Sequence, residues 1–208
     1  WSVSIIEPDD LPLEPNGTFG DVDGDGDLDL IVGASRLGNE IWWWENPAPD
    51  FTGDRWVRRE AIGSGEPRHH DIGFGDVDGD GSDELVYWTQ GIFPNRVYQL
   101  WVAEVPNDPT QPGDWSATMV HDFDVRGEGL ALADIDGDGV LDILAGGSWF
   151  RFDGAAYVEE RISTASEIRV AAGQFVPGGR PVVVLSAGDL VGDLAIYEWS
   201  GGTWTRRS

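Results

Sequence analysis

An acidic motif that returns at a near-constant interval constrains this chain more than any other feature. Residues 19–33 read FGDVDGDGDLDLIVG, residues 74–88 read FGDVDGDGSDELVYW and residues 132–147 read LADIDGDGVLDILAGG. Their first aspartates, Asp21, Asp76 and Asp134, are spaced by 55 and then 58 residues. A fourth copy, AGQFVPGGRPVVVLSAG at 172–188, keeps the apolar pattern but has Gln174 where the first aspartate would stand. That copy has lost its carboxylates.

A second marker keeps the same phase. WSVSIIE at 1, WVRREAI at 56, WSATMVH at 115, YVEERIS at 157 and TWTRRS at 203 each read as one short strand. Between successive markers lie two strands around the acidic loop and then an aromatic strand, so the repeating unit has four strands: 17–22, 28–34, 40–45 and 56–62 in the first copy. With 29 Gly and 12 Pro in 208 residues, tight turns are abundant and helical periodicity is weak.

Four-stranded units recurring every ~40–60 residues are the signature of a β-propeller, in which each unit is a blade that buries its faces against its neighbours. The expectation is an all-β chain. Residues 1–208 then form a single β-propeller domain with blades at about 17–62, 72–121, 130–162 and 168–207, and an extra outer strand at 1–6. The surplus strand leaves three arrangements open: a small closed ring, part of a larger propeller completed by a second copy, or strand donation through an unpaired blade edge into a homo-oligomer or filament.

The spacing D-x-D-x-D-G-x-x-D puts carboxylates at loop positions one, three, five and nine, with glycine at position six where the chain must turn sharply. Such a loop wraps a hard cation, and position seven adds its backbone carbonyl. The candidate ligands are Asp21, Asp23, Asp25, Asp27 and Asp29 in the first loop; Asp76, Asp78, Asp80, Ser82 and Glu84 in the second; and Asp134, Asp136, Asp138, Val140 and Asp142 in the third. Carboxylates ~4 Å apart repel by several kcal/mol at an effective dielectric of ~20, so a dication explains the crowding. Three structural Ca²⁺ sites are expected. Glu84 at position nine marks the second loop as the one that differs. An EF-hand is excluded, because position twelve is Val32, Tyr87 or Ala145 rather than Glu and strands flank every loop.

With the pattern FGDVDGDGDLDLIVG in three regular copies, the chain resembles the FG-GAP or VCBS-type repeats of integrin α-subunit propellers and of many secreted proteins. Members of that family commonly close with about seven blades. The resemblance implies a secreted or cell-surface binding or adhesion module, and it extends to carbohydrate-active lyases, dehydratases and lectins built on such propellers.

A formal charge of −25 repels nucleic acid and anionic membrane, and no apolar run approaches the ~20 residues that span a bilayer. Cys is absent, so neither disulfides nor thiolate metal sites are available. The chain begins at Trp1 without Met or a signal-like segment, and the expectation is an extracellular protein from which a leader, or a larger parent, has been removed.

Aligning the units places Arg68, His69, His70, Asp71, Arg126, Glu128, Glu167 and Arg169 just before the inner strands, at one mouth of the channel, where propellers bind ligands. His69 and His70 are the candidates for a general base. Trp42, Trp43 and Trp44 alternate faces as blade packing or as stacking platforms for sugars. Three functions remain: a calcium-stabilised binding module for carbohydrate or protein, a lyase- or dehydratase-like enzyme acting at the channel mouth, and a structural subunit.

Overall fold

A computed structural model describes residues 3–50, 52, 55–65, 67–91, 97–124, 126–164, 168–188 and 191–207. The first sheet comprises β1 (Leu13–Gly20), β2 (Asp29–Ala34), β3 (Ile41–Glu45) and β4 (Val57–Ile62), and the second β5 (Ile72–Gly75), β6 (Glu84–Gln90), β7 (Tyr98–Glu104) and β8 (Ala117–Asp122). The third holds β9 (Leu130–Ala133), β10 (Asp142–Ala145), β11 (Ser148–Phe152) and β12 (Tyr157–Arg161), and the fourth β13 (Arg169–Gly173), β14 (Val182–Ser186), β15 (Ala195–Ser200) and β16 (Thr203–Arg207). Every sheet is an antiparallel meander in chain order. The chain is all-β, with four blades of a β-propeller and no helix among the described residues. Among the described residues no helix is long and apolar enough to cross a membrane.

The sheets stack in succession through their inner strands, β1 on β5, β5 on β9 and β9 on β13. Period-two alternation on β2, β6 and β10 sends neighbouring residues to opposite faces. Thus Leu85 and Tyr87 join Ile31 and Trp43 between the first two sheets, whereas Val86 and Trp88 join Ile143 and Phe150 between the next two. Leu144, Trp149, Val183 and Leu185 fill the third junction. There the rings of Trp149, Trp199 and Trp204 meet edge to face or tilted, 4.7–5.6 Å apart.

The tryptophan run divides as alternation requires. Trp43 is fully buried between the first two sheets with the Arg59 guanidinium over its ring, while Trp42 and Trp44 pack on the opposite face with Leu11. These faces, like those of Trp88 and Trp149, are enclosed rather than offered to a sugar.

The expected outer strand at 1–6 does not form over residues 3–6, and Trp1 and Ser2 lie outside the described residues. Residues 7–12 instead are tethered to the first sheet. Glu7 accepts from the Trp44 indole N–H (3.2 Å) and pairs with Arg58 at 2.7 Å, and the Pro12 carbonyl takes the Ser35 N–H. Isolated anchors replace the ladder, β4 already completing a four-stranded sheet. The inner strand of this sheet also begins earlier than 17, at Leu13, with a register shift between Leu13 and Gly17.

Candidate metal centres

Each acidic loop joins an inner strand to the next strand of its sheet, and the three share one backbone path. Glycines at positions four and six take left-handed φ of 77–80° and 92–96°, a conformation disfavoured for any residue with a Cβ: Gly24 and Gly26, Gly79 and Gly81, Gly137 and Gly139. The position-one aspartate folds the loop around itself by accepting the position-six N–H at 3.1 Å, from Gly26 to Asp21, Gly81 to Asp76 and Gly139 to Asp134. Position three accepts in the same way from position five, at 3.0–3.3 Å. These local bonds turn the carboxylates inward.

Three clusters result in which one carboxylate oxygen from each residue lies within 4.8 Å of the others: Asp21, Asp23 and Asp25; Asp76, Asp78 and Glu84; Asp134, Asp136 and Asp142. The position-nine carboxylates are buried and brace the loop base. Asp29 accepts from Val22 N (3.0 Å), Glu84 from Val77 N (2.9 Å) and Asp142 from Ile135 N (2.7 Å). Burial pushes Glu84 and Asp142 up to about 7 and Asp29 up to about 6, against the lowering effect of those same hydrogen bonds.

The loops differ at position nine, though not where the residue types suggested. Asp29 spends its second oxygen on the Asn46 N–H at 2.9 Å, which leaves it outside the first cluster. The longer Glu84 keeps Oε1 buried without a donor and joins its cluster. In the first loop the enclosed, donorless oxygens are instead Asp21 Oδ1 and Asp27 Oδ1. Nothing in the spacing distinguishes Asp27 from Ser82 or Val140 as an inward side chain. Buried anionic oxygens lacking any donor fit a hard dication, whose ligands are all oxygen. Asp80, Asp138, Ser82 and Val140 lie in the same loops, with the Asp80 and Asp138 side chains accepting the Ser82 and Val140 N–H groups at 2.8 and 2.9 Å.

The fourth loop closes without a carboxylate. Gln174 donates its side-chain amide to the Gly179 carbonyl, reversing the polarity of the bond that Asp21 makes with Gly26.

The channel-mouth residues separate into two groups. His70, Asp71, Arg126, Glu128 and Arg169 come together with Asn16, which the sequence did not single out. His70 Nδ1 donates to Asp71 Oδ2 at 2.8 Å, and its Nε2 lies 3.9 Å from Glu128. Asp71 also accepts from Asn16 Nδ2 and Gly129 N at 3.0 Å. Arg169 pairs with Glu128 at 2.9 Å and Arg126 takes the other Glu128 oxygen. Burial alone would raise Asp71, but the His70 hydrogen bond and nearby positive charge hold it below the usual carboxylate range. Two arginines balance two carboxylates, and the network ties all four blades together.

His69 and Arg68 point elsewhere. His69 Nε2 donates to the Asn39 carbonyl at 3.0 Å, its ring meets Tyr87 edge to face, and burial depresses its basicity. It borders a cavity of about 250 Å³ between the first two sheets, lined also by Tyr87, Thr89, Gln99, Trp101, Asp114 and Trp115. Arg68 pairs with Glu14 at 3.0 Å, and Glu167 lies outside the described residues.

No curated protein matches the chain. Residues 21–87, which run from the first acidic loop through the second and into β6, match the family model of the FG-GAP-like repeat.

Proposed function

We propose that the chain is one calcium-stabilised β-propeller domain that works outside the cell as a binding or adhesion module. The observation that carries this reading is the inward convergence of carboxylates in three loops, with enclosed oxygens in the first two that no protein donor satisfies. Three dications would bring the formal charge from −25 to −19, still strongly acidic. Exposed loops of this kind bind calcium at ~10⁻⁴–10⁻³ M in extracellular modules, a concentration met outside cells rather than in cytosol. The ions are structural, since each loop ties an inner strand to its neighbour.

For the ligand, the cavity beside His69 is the best-supported place. Its Trp101, Tyr87 and Trp115 walls and its Asp114, Gln99 and Thr89 polar groups suit a small hydroxylated molecule. At about 250 Å³ it falls just below the ~300–1,000 Å³ that holds drug-sized ligands, so a single sugar unit is the size class. Calorimetric titration with calcium tests the first part: about three bound ions support it, and no heat at millimolar calcium overturns it. A glycan array on wild type and Trp101→Ala tests the second; signals that do not change with the substitution would remove the cavity as the site.

A lyase- or dehydratase-like reading would use His70, oriented by Asp71, as general base. Both residues are buried and engaged with the opposing charges of the network, which disfavours it. Wild-type turnover of an acidic sugar, lost in His70→Ala at unchanged melting temperature, would restore that reading.

A further inference from the structure

The contact between blades repeats in register at the first two junctions, the third carrying Ala133 and Ala172 at the equivalent positions, and its two halves reappear unmatched at the ends of the array. Between the first two sheets, Phe74 sits over Gly20: a Cβ built on Gly20 would meet the Phe74 ring at 2.1 Å. Between the second and third, Leu141 and Leu132 close over Gly75, at 2.6 and 3.7 Å. In the alignment of the repeats, Gly173 is the counterpart of Gly20 and Gly75, and a Cβ there would meet nothing within 4 Å. Phe19 is the counterpart of Phe74 and Leu132, and Leu28 that of Leu141. Those three are half-buried, whereas Phe19 and Leu28 are 61% and 59% exposed.

The exposed last face carries apolar residues as well, beside the charged Arg180 and Glu198. Val22, Val77 and Ile135 are each buried under the following blade, yet their counterpart Phe175 is 68% exposed. Phe175 lines an open groove of about 330 Å³ with Val176, Pro181, Val182, Ile196 and Trp199. Val182 is the strand partner of Gly173, so groove and vacant glycine share one face. At the other end, Leu11 packs against Trp42 and Trp44 and Glu7 bonds the Trp44 indole, but Phe19 and Leu28 stay bare near the inner strand.

We infer that the first face of one copy docks onto the last face of a second copy, with Phe19 and Leu28 closing over Gly173 as Phe74 closes over Gly20. A second copy is the occupant because knob and hole are carried by the same chain and match a contact it already makes internally. The interface is heterologous, and two copies that satisfy both ends form one closed ring. That ring has twice the four blades of one chain, within the ~4–8 typical of propellers. The inference does not depend on the loops holding calcium.

Sedimentation equilibrium of the wild type should give twice the mass of one chain, and Phe19→Arg, whose site is exposed in a single copy, should give one chain with an unchanged circular dichroism spectrum. The internal pair is close enough for a disulfide, since a Gly20 Cβ lies 2.9 Å from Phe74 Cγ, and the native sequence has no Cys. Mixing Phe19→Cys with Gly173→Cys under mild oxidation should therefore yield a covalent pair containing one of each. A wild type that stays at one-chain mass at high concentration overturns the inference, as does a dimer that Phe19→Arg leaves intact or that gives no mixed disulfide. Long polymers abolished by Phe19→Arg would keep the docking and overturn the two-copy closure.

Discussion

Glu84 and Asp142 carry opposite consequences for the loaded and the metal-free protein. Each is buried, each is raised to about 7, and each belongs to a carboxylate cluster. Without a cation the folded state favours their protonated forms, so their stabilising effect is complete below pH ~4 and is lost as pH rises through about 7. Thermal unfolding in chelator should therefore show a lower Tm at pH 8 than at pH 5, by the equivalent of roughly a few kcal/mol. Excess calcium should abolish or reverse that trend. Asp142→Asn isolates the charge, because the amide oxygen can still accept from Ile135 N. Calorimetry should then count one ion fewer, while the chelated variant at pH 8 melts higher than chelated wild type. The spacing of the aspartates was legible in sequence. The absence of Asp29 from its cluster was not, since that depends on Asn46, 17 residues away, reaching it across the sheet.

At the scale of strands and sheets, stability rests on glycines that receive a neighbour's side chain and on indoles that fill the gaps between blades. Gly20→Ala places a methyl group against the Phe74 ring and should cost about 1–3 kcal/mol in chemical denaturation. Trp43→Ala removes a fully buried ring and should cost about 3–5 kcal/mol. Alternation along WWW was enough to assign Trp43 to one face and its neighbours to the other, because the side-chain period of a strand is fixed by its backbone. The segment at 1–6 misled for the same reason: WSVSII has strand composition, but whether a strand forms is decided by a free sheet edge. Its acidic follow-on, Glu7, finds Trp44 and Arg58 instead.

Across the whole molecule, the acidic loops and the central charge network belong to the same four-blade array. Removing calcium should lower Tm cooperatively, since calcium at a hundredfold over its dissociation constant contributes ~2.7 kcal/mol per site; sodium at equal ionic strength should not substitute. Arg169→Ala removes the fourth blade's ion pairs to Glu128 and Asp71 and should cost about 2 kcal/mol, read by urea denaturation at fixed calcium. The sequence by itself determined the four-strand repeat, the four blades and the three acidic loops, because strand alternation, turn glycines and ligand spacing are local properties read within a few residues. Only the tertiary structure decided which carboxylates converge, that His69 and His70 diverge into a cavity and an ion-pair network, and that Phe19 and Gly173 stay uncovered. Those outcomes depend on contacts between residues far apart in the chain, whose partners are chosen by how whole sheets stack.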